Sequence, residues 1–130
     1  MASVFTRIIQ GDLPAFKVAE DEDHIAFLDV QPVSPGHVLV IPKKETDYLF
    51  SLSETELCAL VLFAQKVAIR MKQAIDCKRI SVTVIGLEVP HAHIHLIPIN
   101  KMDDCNFSRP KLQVSPAELQ TIADKINAVN

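Results

Sequence analysis

Residues 89–98 read VPHAHIHLIP and decide how the rest of the chain is interpreted. Three histidines occupy alternate positions in this run: His91, His93 and His95. Residues two apart on a strand point to the same face, so the three imidazoles are expected to share one face. The residues that alternate with them are apolar and predict a buried opposite face: Ala92, Ile94 and Leu96.

Three imidazoles in one run are unusual for simple packing, because each ring brings two nitrogens that need partners. One interpretation is a polar strand that faces solvent. A second is a metal site completed by a ligand from elsewhere in the chain, for which there are four candidates: His24, Asp29, His37 and Glu88. A third is phosphoryl or nucleotidyl transfer, in which a neutral imidazole attacks phosphorus while its neighbours donate hydrogen bonds to the phosphate oxygens.

The surrounding sequence predicts more strands and three helical segments. Apolar residues predict one or two helical turns over 3–10, and β-branched or alternating runs predict strands at 17–20, 24–29, 38–41, 79–84 and 89–98. The order shows no regular strand–helix alternation. It therefore predicts an α+β fold with a mainly antiparallel sheet.

The strongest helix signal lies at 54–75. Ser53 and Glu56 form a capping box at its start, and apolar residues then recur at spacings of three and four. So many of its residues are apolar that two interpretations stay open: a central core helix, or a helix that also meets a partner subunit. A second capping box at Ser115 predicts a C-terminal helix over 115–128, and residues 100–114 read as a loop.

Length and composition exclude several classes of protein. A chain of 130 residues with 48% hydrophobic and 22% charged residues predicts one globular domain over residues 1–130. A net charge of −3 argues against a nucleic-acid polymer as partner. With 3 glycines, there is no glycine-rich phosphate loop. The longest apolar stretch, residues 57–64, is too short to span a membrane.

The cysteines predict a reducing environment. Their number is odd and no pair has CxxC spacing: Cys58, Cys77 and Cys105. A disulfide framework and a cysteine-based zinc site are therefore not expected. The N-terminus lacks the long apolar segment of a secretory signal, and a cytoplasmic location is the expectation.

The histidine run, taken with residues 5–44 (FTRIIQGDLPAFKVAEDEDHIAFLDVQPVSPGHVLVIPKK), resembles the histidine triad (HIT) superfamily. The family signature is His-x-His-x-His followed by apolar residues, and the match covers most of residues 3–99. The resemblance implies a HIT-like fold with a five-stranded antiparallel sheet, one long central helix, an N-terminal helical turn and a C-terminal helix. It also implies a homodimer formed through the long helix and a sheet edge.

The resemblance implies a nucleotide hydrolase or transferase that acts at the α-phosphate of a purine nucleotide such as AMP or its derivatives. By motif position, His93 is the nucleophile, and a nucleotidyl-histidine forms on it. His91 and His95 flank the phosphate and orient or protonate it, and His37 is the family's fourth, upstream histidine. Nucleoside phosphoramidase and dinucleoside polyphosphate hydrolase are the two activities implied. No metal is required at the histidines, although Mg²⁺ can accompany a polyphosphate substrate.

The resemblance also implies a nucleoside site. Asp29 matches the acidic residue that accepts from the ribose hydroxyls, although by itself it could equally cap a turn. Five apolar residues match the pocket that holds the base, although periodicity alone assigns them to the core: Val4, Phe5, Ile8, Phe27 and Val30.

The loop before the histidines departs from the family. Only IGLEVP separates Val84 from His91, and Glu88 stands where some members place a serine or threonine that contacts phosphate. A carboxylate beside a phosphate repels it unless it is protonated or bridged. The alternative is thus a nucleotide-binding protein with little catalysis, and the third hypothesis is a metal-binding protein that uses the histidine strand. The N-terminal cysteines with which some members bind zinc are missing, so no structural zinc is expected.

Overall fold

A computed structural model of the chain describes residues 2–129. The elements follow one another as α1 (Val4–Ile9), β1 (Lys17–Glu20), β2 (His24–Leu28), β3 (Val38–Pro42), a 3₁₀ turn (Leu49–Ser51), α2 (Glu54–Ala74), β4 (Arg79–Thr83), β5 (Ile94–Ile99), a second 3₁₀ turn (Met102–Cys105) and α3 (Pro116–Asn127). The strands form one antiparallel sheet in the order β1-β2-β3-β5-β4. The predicted α+β fold with a five-stranded sheet and a long helix is confirmed.

The long helix begins where its capping box was predicted. The Ser53 hydroxyl accepts from the Glu56 N–H at 3.1 Å, and the Glu56 carboxylate accepts from the Ser53 N–H at 2.9 Å. Two of the N–H groups that helix geometry leaves unpaired are satisfied in this way. At α3, the Ser115 hydroxyl accepts from the Glu118 N–H at 3.2 Å and Pro116 occupies the first turn. Both helices therefore start on local signals that can be read in the sequence.

The two faces of the sheet are covered differently. One face packs against α2 and α3 in the main core, which includes Val40, Leu60 and Leu96. The other face packs against α1 through a smaller cluster: Phe5, Ile25, Phe27, Leu39 and Ile41. Because His95 pairs with Leu39 across β3 and β5, it lies on this second face. The histidines are therefore on the side of the sheet opposite the long helix.

Strand β5 is shorter than the sequence predicted. It begins at Ile94 rather than at residue 89, so His91 and His93 lie in the irregular segment before it. The β3–β5 ladder reaches only from Val38 to the Val40–Ile94 pair. Beyond that point the carbonyl of Pro42 accepts from the imidazole of His91. The predicted buried face is confirmed, since Ala92, Ile94 and Leu96 are all nearly inaccessible to solvent.

The loop predicted at 100–114 contains the second 3₁₀ turn, which the sequence analysis did not predict. The turn is held locally, because the carboxylate of Asp104 accepts from the backbone N–H groups of Asn100 and Lys101 at 2.8 and 3.1 Å.

Within residues 2–129, no helix has the length and apolar character that crossing a membrane requires.

Part of the apolar surface of α2 is not covered by residues 2–129. Val61, Leu62 and Ile69 are each more than half exposed. On the neighbouring edge strand, Val82 is 65% exposed and pairs with Leu96, whose side chain belongs to the α2 side of the sheet. The exposed residues of α2 and β4 therefore form one surface, called here the α2–β4 patch: Val61, Leu62, Ile69 and Val82.

Candidate active site

The tautomer of His93 is set by the backbone. Its Nδ1 atom lies 2.7 Å from the carbonyl oxygen of His91. A carbonyl only accepts hydrogen bonds, so in the neutral ring Nδ1 carries the proton and Nε2 keeps its lone pair. Phe5 packs edge-on against the ring, with the ring centroids 5.1 Å apart. His93 therefore has the tautomer that a nucleophile acting through Nε2 requires.

His37 and His95 form a hydrogen-bonded pair of defined direction. The N–H of Val33 donates to Nδ1 of His37 at 3.1 Å, so the proton of the neutral His37 ring is on Nε2. That Nε2–H faces Nδ1 of His95 at 2.9 Å and donates to it. The proton of His95 is consequently on Nε2. His95 can thus act as a hydrogen-bond donor from that atom.

Burial keeps this pair uncharged. Desolvation, reinforced by the neighbouring His95, lowers the pKa of His37 to about 3. Desolvation, reinforced by His93, lowers the pKa of His95 to about 4. Both rings are therefore neutral near pH 7, as the direction of their hydrogen bonds requires.

His91 is held from both sides. Its Nε2 atom lies 2.7 Å from the carbonyl of Pro42, and its Nδ1 atom lies 2.9 Å from the Ser3 hydroxyl. The Pro42 carbonyl fixes the proton of the neutral ring on Nε2, so the Ser3 hydroxyl donates to Nδ1. Desolvation lowers the pKa of His91, against the opposing effects of Pro42 and Glu45.

Two adjoining cavities lie on this side of the sheet. The first, called the histidine cavity, has a volume of about 320 Å³ and is lined by residues that include Asp29, Glu88, His93, His95, Phe107 and Lys111. The second has a volume of about 330 Å³, and all five residues predicted for the base pocket line it: Val4, Phe5, Ile8, Phe27 and Val30. Phe5, Asp29 and Leu39 line both, so the two cavities meet there. His37 and His91 are not among the described residues that line either cavity.

Asp29 lies at the junction of the two cavities. One carboxylate oxygen accepts from the Gln31 N–H at 2.9 Å, which is the turn-capping bond that the sequence analysis left open. The other oxygen lies 3.8 Å from Nε2 of His37. Burial raises the pKa of Asp29, and the hydrogen bond from Gln31 opposes that rise. The carboxylate therefore caps its own turn and still borders both cavities.

Three groups that can ligate a metal converge at the same place. Ligand atoms of Asp29, His37 and His95 all lie within 4.8 Å of one another. However, the two facing imidazole nitrogens are already joined by a hydrogen bond, and the other nitrogen of His37 is bound to Val33. A metal would have to displace that shared proton.

The sequence analysis missed Phe107 and Lys111 of the histidine cavity, which lie in the irregular segment 100–114. The ring of Phe107 packs edge-on against His95, with centroids 4.9 Å apart, and the Lys111 ammonium lies 5.0 Å from the Phe107 ring centroid. The Leu112 N–H donates to the Pro32 carbonyl and ties this segment to the loop before β3. A lone phenylalanine near a lysine in a polar segment was the only available signal.

The chain resembles known proteins over most of its length. The model of the HIT domain family matches residues 10–102. The adenosine 5′-monophosphoramidase of Schizosaccharomyces pombe is 33% identical over an alignment 134 positions long, which covers 98% of each chain. The adenosine 5′-monophosphoramidase of Saccharomyces cerevisiae is 35% identical over 98 residues, which cover 75% of this chain and 62% of that one. The crystal structure of a HIT-like protein from Bartonella henselae is similar with a TM-score of 0.85 and 32% identity, and the match covers 97% of this chain and 94% of that chain.

Proposed function

Because the chain is a member of the HIT domain family, we propose that it is a nucleotide hydrolase that cleaves at the α-phosphate of a purine nucleoside 5′-phosphate derivative. The observation that carries the proposal is the tautomer of His93, which presents an unprotonated Nε2 beside the histidine cavity. Two yeast relatives are named as adenosine 5′-monophosphoramidases, and this supports an AMP phosphoramidate as the substrate.

The two adjoining cavities fit the parts of a nucleotide. The base occupies the apolar cavity between α1 and β2, with Phe5 and Phe27 as its aromatic walls. The ribose hydroxyls donate to Asp29 at the junction. The α-phosphate then enters the histidine cavity, where His93 and His95 are both available.

The reaction proceeds in two displacements. Nε2 of His93 attacks the α-phosphorus, the bond to the leaving nitrogen breaks, and that nitrogen departs as ammonia after taking a proton from solvent. The Nε2–H of His95 donates a hydrogen bond to a phosphate oxygen as charge develops there. Water then attacks the nucleotidyl-histidine and gives up one proton to solvent, the nitrogen–phosphorus bond breaks, AMP leaves, and Nε2 of His93 regains its lone pair. The residues assigned here need no metal, although Mg²⁺ can accompany a polyphosphate substrate.

A second candidate function is nucleotide binding with little catalysis. Glu88 lines the histidine cavity, where its carboxylate repels a bound phosphate. Lys111 lines the same cavity and supplies the opposite charge. How these two charges balance decides how well a phosphate is held next to His93.

The α2–β4 patch supports a homodimer. Strand β4 is at the edge of the sheet, so its outer backbone groups face no other strand among residues 2–129. A second copy, related by a two-fold axis, would pair its own β4 edge there and cover Leu62 and Ile69 with its own α2. The three free cysteines are consistent with a reducing cytoplasm as the location of such a dimer.

Release of AMP from adenosine 5′-phosphoramidate tests the proposed function. We expect turnover by the parent protein and none by His93→Ala, with both proteins giving the same circular dichroism spectrum and AMP affinity. Full activity in His93→Ala would overturn the nucleophile assignment. AMP binding without turnover of phosphoramidate or dinucleoside polyphosphate by the parent would instead favour the binding protein.

A further inference from the structure

The segment that carries His93 is not held by the sheet. Ladder pairing between β3 and β5 starts at Ile94, so within the described residues 2–129 the segment 91–93 has no strand partner on that side. The end of β3 and the loop that follows it hold this segment instead. The Ala92 N–H donates to the Thr46 carbonyl at 2.6 Å, and the His91 imidazole donates to the Pro42 carbonyl at 2.7 Å.

A chain of polar groups completes this support on the other side of the His91 ring. The Ser3 hydroxyl lies 2.9 Å from Nδ1 of His91 and 3.2 Å from the Thr6 hydroxyl. The Thr6 hydroxyl donates to the Glu45 carboxylate at 2.6 Å, and the Ser3 N–H donates to the same oxygen at 2.7 Å. We call Ser3, Thr6 and Glu45 the His91 brace. Together with His91, the brace joins three segments that are far apart in the sequence.

Helix capping explains only part of the brace. Ser3 is the N-cap of α1, and its hydroxyl accepts from the Thr6 N–H at 3.0 Å. Capping requires neither the bond from the Ser3 hydroxyl to His91 nor the two bonds to Glu45. These two bonds also lower the pKa of Glu45 to about 2, so the carboxylate stays ionised as an acceptor. Glu45 is part-exposed and lines neither of the two cavities.

We propose that Ser3, Thr6 and Glu45 are positioning residues of the reaction. By holding the His91 ring in one tautomer and one orientation, they fix the His91 carbonyl that directs the Nδ1 proton of His93. This proposal rests on the proposed function for its effect on turnover. Its effect on the two imidazole rings is independent of turnover and is measured separately.

Removing the Thr6 hydroxyl tests the brace, because that hydroxyl donates to Glu45 and lies 3.2 Å from the Ser3 hydroxyl and 3.5 Å from Nδ1 of His91. Thr6→Val keeps the shape of the side chain and removes the hydroxyl, whereas Thr6→Ser keeps the hydroxyl. We expect Thr6→Val to lower kcat on adenosine 5′-phosphoramidate by about tenfold to a hundredfold with KM nearly unchanged, because a displacement of about 1 Å of a reacting group can cost about a hundredfold. Thr6→Ser should restore kcat. Thr121→Val is the matched control, since it removes a helix hydroxyl that donates to the Ala117 carbonyl of its own helix.

The tautomer of each histidine is measured from the ¹⁵N NMR chemical shifts of its imidazole nitrogens. In the parent protein we expect His91 protonated on Nε2 and His93 protonated on Nδ1. In Thr6→Val, His93 should become a mixture of tautomers. Glu45→Ala, a change at a part-exposed loop residue, should give the same result if Thr6→Val does not fold.

An unchanged kcat together with an unmixed His93 tautomer in a folded Thr6→Val or Glu45→Ala protein would overturn the brace. Equal losses of kcat in Thr6→Val and Thr6→Ser would do the same, since the hydroxyl would then not matter. If His93→Ala kept its activity, the proposed function would fail. The imidazole shifts would still show whether the brace positions the rings of His91 and His93.

Discussion

The carbonyl oxygen of His91 lies 2.7 Å from Nδ1 of His93, two residues further along the chain. One histidine of the run therefore sets the tautomer of the next through its backbone, while its own ring is bound elsewhere. The tautomer of His95 is set independently, through its hydrogen bond with His37. The three histidines of the run thus have three different environments, and their roles can be separated by substitution.

Breaking the His37–His95 pair should slow the reaction and destabilise the fold. In His37→Phe, the Val33 N–H and Nδ1 of His95 lose their partner. We expect the free energy of unfolding to fall by about 1–3 kcal/mol, because buried polar groups are left unsatisfied. We expect kcat to fall by up to about a hundredfold, as for loss of one oriented donor. Urea unfolding and steady-state kinetics measure the two effects.

His24→Phe is the control for that substitution. His24 is also buried, but it stacks on Phe63 of α2 and binds Asp21. Its replacement should change stability and leave kcat within about twofold, since it lies outside both cavities. A similar loss of kcat in both variants would show that His37 acts only through stability.

The stability of the protein should fall between pH 6.5 and pH 5. The pKa values of His37 and His95 are about 3 and about 4 in the folded chain, against an ordinary value of 6.5. Below pH 6.5 the two imidazoles become protonated in the unfolded chain but stay neutral in the folded chain. The free energy of unfolding therefore falls by about 1.4 kcal/mol per pH unit for each ring. Above pH 6.5 neither ring contributes. The slope, measured by urea unfolding, should be shallower in His37→Phe, and an equal slope would contradict the low pKa of His37.

The charges at the histidine cavity should act on AMP in opposite directions. We expect Glu88→Gln to tighten AMP binding by about fivefold, because two unit charges a few ångströms apart in a water-like medium interact by about 1 kcal/mol. Lys111→Gln should weaken binding by a similar factor. Titration calorimetry at low and high salt measures both, and the two effects should shrink with added salt. Glu118→Gln on α3 is the control, and a shift of the same size there would rule out a local effect.

A charge in the α2–β4 patch should separate the homodimer. Leu62→Glu places a carboxylate on a side chain that is 57% exposed in the single chain and covered in the proposed dimer. We expect a monomer by analytical ultracentrifugation, because an unpaired charge buried in an interface costs several kcal/mol. Met102→Glu, at an apolar residue outside the patch that is 84% exposed, should remain a dimer. A monomeric parent protein would contradict the dimer itself.

Much of the fold could be predicted because its signals are local. The Ser53–Glu56 capping box and the spacing of apolar residues located α2 to within one residue of its observed end. The alternation of apolar residues placed Ile94 and Leu96 on the core face, and both are buried there. The extent of β5 could not be predicted, because the length of a strand depends on its partner. Here β3 stops pairing with β5 beyond Val40, although the alternating pattern runs back to residue 89.

The sequence by itself determined which residue types are available: three alternating imidazoles, an upstream histidine, an acidic residue and the apolar residues that line the second cavity. Only the tertiary structure decided what each imidazole does. A ring's tautomer depends on whether its partner donates or accepts, and those partners are Pro42, Ser3, Val33 and the His91 carbonyl. The first three of these come from other segments, and no periodicity encodes them. The same holds for Phe107 and Lys111, which reach the site only because the chain folds back over His95.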